Sequence, residues 1–181
     1  MRKKIIFNIV IASILAAMAL VLEKFGIKVP LLGSTTTLRI SFYGLPLMIA
    51  GIIFGYKTGL IAGFIMSIIS QLVLSEYGIT PTTPLWMIAP ILWGLLSGLI
   101  VKLFKGNLSI LSIVVSVIIT SIFVSLSNSL ALYVDGIVFQ YDTKITFVLI
   151  ISRIFVSIIV ACVYIPVLYV LSKRLKKFME E

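Results

Sequence analysis

At 181 residues, 61% hydrophobic and only 12% charged, with a mean hydropathy of +1.24, the chain lies outside the range of soluble domains, whose charged share is about twice as high. It reads as one integral membrane domain over residues 1–181. The net charge of +9 does not mark a nucleic-acid binder, because the cations fall at the ends of apolar runs, where the positive-inside rule accounts for them. There is no histidine and one cysteine, Cys162. That removes the commonest metal ligand and general base and leaves no disulfide framework, so no metal or cofactor is expected.

Six apolar stretches predict an all-α bundle of six transmembrane helices over 5–22, 40–56, 58–75, 84–104, 108–133 and 145–171. The first follows Met1-Arg2-Lys3-Lys4 and is too long for a signal-peptide core, so it is read as a retained helix. An even count puts both termini on one side. Placing that side in the cytoplasm gathers ten of the Lys and Arg residues there, at Arg2, Lys3, Lys4, Lys57, Lys102, Lys105 and 173–177, and leaves four outside. The termini are therefore expected to be cytoplasmic.

The first span carries Ala12, Ala16 and Ala19 four and three residues apart, small enough for close helix approach. Packing inside the bundle and docking of a separate membrane protein both fit. A long outer connection, 23–38, ends at Arg39, which stands at the outer mouth of the second span. Gly44-Leu45-Pro46 predicts a kink in that span. The third span repeats Gly59, Gly63, Ser67 and Gln71 at intervals of four, a close-packed seam with a polar outer end. The second outer loop holds Tyr77. Pro84 opens the fourth span, which places Trp86 and Trp93 on one face. In the fifth span Ser121, Ser125 and Asn128 share a face, and the third outer loop is read as holding Asp135 and Asp142.

Arg153 lies inside the last span, flanked by Val148, Leu149, Ile150, Ile151, Ile154 and Phe155. A central arginine costs roughly 2.5–3.5 kcal/mol on insertion scales and faces protein or water rather than lipid. Under the one topology, Arg39, Gln71, Trp86, Trp93, Asn128 and Arg153 all fall in the outer half, with Tyr77 of the second outer loop a further binding candidate. Two aromatics, two amides and guanidinium suit a flat heteroaromatic ligand bearing a carboxylate.

On these residues the chain resembles the substrate-capture (S) subunits of energy-coupling-factor vitamin transporters. The likeness runs through the alanines of helix one, Leu38-Arg39-Ile40-Ser41-Phe42 leading to Pro46, and Ala50-Gly51-Ile52-Ile53-Phe54-Gly55 with Gly59 and Gly63. Asn128-Ser129-Leu130, Gly136, Phe139, Ser152-Arg153-Ile154 and Pro166 are similar to the folate branch.

The resemblance implies vitamin binding at the outer side of a bacterial plasma membrane, folate foremost, under loops that close over the ligand. It also implies docking of helix one, through Ala12 and Ala16, on a transmembrane coupling subunit energised by two ATPase subunits. Trp86 and Trp93 match ring-binding positions and Arg153 the arginine of helix six. Where folate binders can place a histidine below the first tryptophan, this chain has Trp93. Pantothenate, pyridoxine-like, thiamin-related and riboflavin ligands stay open.

No Walker loop and no buried nucleophile–base pair appears, so no enzymatic activity is expected. The rival of another class is a structural membrane scaffold, with Arg153 as an internal strut.

Overall fold

The structure, a computed structural model, describes residues 2–30, 37–75 and 78–180. Helix α1 (Arg2–Lys24) leads into a hairpin of β1 (Ile27–Pro30) and β2 (Thr37–Ile40). Then come α2 (Gly44–Phe54), α3 (Tyr56–Ile68), a π-helical segment (Ile69–Val73), α4 (Thr83–Leu103), α5 (Ile110–Val138) and α6 (Thr143–Glu180). Five helical spans are long and apolar enough to cross a membrane, whereas α2 is a shorter apolar helix. With 11 residues it covers roughly 16 Å, about half of a hydrocarbon core.

Several boundaries differ from the sequence expectation. The connection after α1 contains an antiparallel hairpin, in the register Ile27↔Ile40 to Pro30↔Thr37, so the bundle is not purely helical. Helix α2 begins at Gly44, which puts Pro46 in its first turn. A proline there gives up no helical hydrogen bond, so the expected mid-span kink does not arise. Gly55 adopts φ 96°, a left-handed value that ends α2 and lets α3 start one residue later.

The glycine seam of α3 is as close as expected. A Cβ on Gly59 would collide with the Gly94 carbonyl, and one on Gly63 with the Pro90 carbonyl of α4. Ser67 Oγ lies 2.7 Å from the Gly63 carbonyl and 2.8 Å from that of Met87, tying α3 to α4. One turn further along the same face of α4, Gly98 meets α2 at Gly51 and the start of α3 at Tyr56, and Ser116 of α5 donates to the Ser97 carbonyl at 3.0 Å. With backbones this near, dispersion and buried hydroxyl bonds supply the association that the hydrophobic effect does not supply in lipid.

Ala12, Ala16 and Ala19 have no exposed surface and belong to the core with Leu47, Met48, Ala62 and Met66. In this conformation the alanine face therefore packs within the bundle.

Candidate functional site

Two adjoining cavities open at the end of the bundle that carries the hairpin and the 75–83 connection. The inner one, about 380 Å³, is lined by Ser41, Tyr43, Pro90, Trp93, Ser121, Val124, Ser125, Asn128, Leu149, Val156, Ser157 and Val160. The outer one, about 650 Å³, is lined by residues of the π segment, the start of α4 and the end of α5, with Phe139 and Tyr141. Glu23, Gln71, Trp86 and Arg153 line both. They form the neck where the two chambers meet.

Helical spacing explains how the chain delivers these side chains. On α4, Trp86, Pro90 and Trp93 step by four and three residues, one face of a helix. On α5 the same rhythm runs Ser121, Ser125, Asn128, Leu132 and Asp135. On α6 it runs Leu149, Arg153, Val156, Ser157 and Val160. Gln71 is presented by the π segment, whose Leu74 N–H reaches back five residues to the Ile69 carbonyl at 2.9 Å. Such wide turns recur at functional sites.

Arg153 is half-buried and turned inward. Its guanidinium carbon stands 5.1 Å from the centroid of the Trp86 ring, within cation–π range. The Trp86 indole N–H donates to Asp135 Oδ2 at 2.8 Å. Arg153 Nε is buried without a hydrogen-bond partner, and the Asp135 carboxylate lies near enough for its charge to act on the guanidinium. Ser121 Oγ, Ser125 Oγ and Asp135 Oδ1 are also buried and unpartnered. Native proteins leave few such atoms unsatisfied unless water, an ion or a ligand completes them. Here four of them stand in the walls of one pair of chambers.

Trp93 is 7% exposed and serves as both wall and core. Its ring lies where a side chain on Gly44 would go and packs 5.5 Å from the Tyr164 ring. The Tyr43 hydroxyl faces the side chains of Trp93 and Asn128, so an amide, a phenol and an indole meet on the inner floor. Glu23 Oε2 accepts from Ser70 Oγ at 2.7 Å, which fastens the end of α1 to the π segment.

The structure thus brings Gln71, Trp86, Trp93, Asn128 and Arg153 together around one space. Tyr77 lies outside the described residues. Arg39 sits in β2 opposite Lys28, and its side chain lies outside the described residues. Sequence reasoning missed Glu23, Tyr43 and Asp135 as lining groups. Asp135 was expected in a loop because the fifth span was ended at 133. The helix runs on to Val138, seven residues past Asn128 becomes two turns, and Asp135 joins the same face.

A family model for the S component of ECF-type riboflavin transporters matches residues 3–177. Two solved structures share the fold. One, described as FolT bound with folic acid, aligns at a TM-score of 0.63 and 17% identity over 91% of this chain and 92% of that one. The other, the S component of a bacterial ECF transporter, aligns at 0.60 and 22% identity over 96% and 98%. No curated protein sequence matches the chain.

Proposed function

The chain belongs to the ECF-type riboflavin transporter S-component family, and from that premise we propose that it captures a flat, carboxylate-bearing heteroaromatic vitamin of the folate kind for uptake across a bacterial plasma membrane. Proteins of this family are transporter components and not enzymes. The ring lies in the inner chamber against Trp93, with Asn128 and Tyr43 at its polar edge, and the carboxylate is clamped at the neck by Arg153. The observation that carries this reading is the Arg153 guanidinium. Arg153 leans on the Trp86 face and its buried Nε has no hydrogen-bond partner, which leaves a donor for an incoming anion.

In this reading the extended residues before α2 complete a sixth crossing, and both termini are cytoplasmic. The energy comes from two ATPase subunits through a transmembrane coupling subunit that meets helix α1. Because Ala12 and Ala16 are internal here, contact through them requires α1 to shift against α2 and α3.

A second reading, riboflavin, is favoured by the family description and by the acids Glu23 and Asp135 in the lining, which suit a neutral ligand. A thermal-stability screen of purified protein tests both. Folic acid is expected to raise Tm at concentrations where riboflavin does not. Stabilisation by riboflavin alone would select the second reading, and stabilisation by neither vitamin would overturn both.

A further inference from the structure

We infer that Asp135 is a specificity-determining residue which, paired with Arg153, selects ligands ending in an N-acyl amino acid. The carboxylate goes to Arg153 and the adjacent amide N–H to Asp135. This rests on the carboxylate-binding reading above and adds the group beside the carboxylate. Three observations carry it. Arg153 and Asp135 line the same outer chamber. Both contact one indole, Arg153 through the Trp86 ring face and Asp135 through its N–H. Each keeps a buried polar atom without a partner, a donor at Arg153 Nε and an acceptor at Asp135 Oδ1.

A purely anionic tail satisfies only the first of these. It sets its own charge beside the Asp135 carboxylate and leaves Oδ1 orphaned, at the desolvation cost of an unmade bond. An amide N–H next to the carboxylate answers both at once. It satisfies the acceptor and screens the two like charges from each other. A pteroyl-glutamate or a pantoyl-alanine tail has this donor–anion pair, whereas a ribityl chain offers hydroxyl donors but no anion.

The alternative is that Asp135 only positions Trp86. Asp135→Asn separates the two roles, because its amide oxygen still accepts the Trp86 N–H while its NH₂ replaces the free oxygen. The probes are folic acid and pteroic acid, which retains the ring and a carboxylate but lacks the amide N–H. Wild-type protein is expected to prefer folic acid, and D135N to shrink that preference about ten- to a hundredfold. The same shrinkage is expected in a Trp86→Phe background, where no indole remains to be positioned.

Should D135N not fold, wild-type protein is titrated with folic acid methylated on the amide nitrogen, and affinity lower by about tenfold or more is expected. An unchanged folic-to-pteroic ratio in D135N, shrinkage that vanishes with W86F, or full affinity for the methylated amide overturns the inference. Wild-type protein that binds riboflavin and not folic acid overturns the folate reading as well. Folic acid binding with an unchanged ratio overturns this inference alone.

Discussion

The guanidinium of Arg153 lies over the Trp86 ring, 5.1 Å from its centroid, and the indole N–H of the same ring donates to Asp135 Oδ2 at 2.8 Å. Trp86 therefore contacts a cation through its ring face and an anion through its N–H. The neck keeps a donor at Arg153 Nε and an acceptor at Asp135 Oδ1 without partners, at the cost of holding both partly out of water.

Trp86→Phe keeps a ring under the guanidinium and removes the N–H. Asp135 then has neither oxygen paired with a donor, a loss of about 1–3 kcal/mol. The expected outcome is a Tm lower by a few degrees and vitamin affinity reduced by roughly tenfold. Calorimetric titration beside a melting curve checks this, and an unaltered affinity would mean that the indole N–H plays no part in organising the neck.

Gly59→Leu tests the seam on which the site stands. The new side chain would run into the Gly94 carbonyl, and α3 and α4 would have to separate at an overpacking cost of about 1–3 kcal/mol or more. Detergent-purified G59L is expected to melt at least roughly 5 °C below wild type. A variant as stable as wild type would show that the two backbones are not in contact.

Ala16→Leu puts a branched side chain into a position with no exposed surface. The isolated protein is expected to lose thermal stability, with a smaller loss for Ala16→Ser, which fits the same volume. Differential scanning fluorimetry decides it. If A16L melts like wild type, the alanine face is open to another chain and not packed against this one.

Much of this arrangement is legible in the sequence. Arg153 within an apolar run, the Trp86–Trp93 spacing and the Gly59–Gly63–Ser67–Gln71 interval each depend on helical periodicity, which sequence carries directly. What was not legible depended on where helices stop. An acid at 135 looks like a loop residue unless α5 is known to run past it, and a tyrosine at 43 looks like span filling unless α2 is known to begin at Gly44. The π segment leaves no compositional mark, because nothing in Ile-Ser-Gln-Leu-Val distinguishes a five-residue hydrogen bond from a four-residue one. The alanine face had two meanings in sequence, and only the packing of α1 on its neighbours separated them.

The central claim is that Arg153 is held for a ligand's negative charge, and the most direct measurement is folic acid affinity in wild type and Arg153→Ala, with the melting point of each recorded. R153A is expected to remain folded, since it removes a half-buried cation from an apolar span, and its affinity to fall by about a hundredfold. Equal affinity in a folded R153A would contradict that claim.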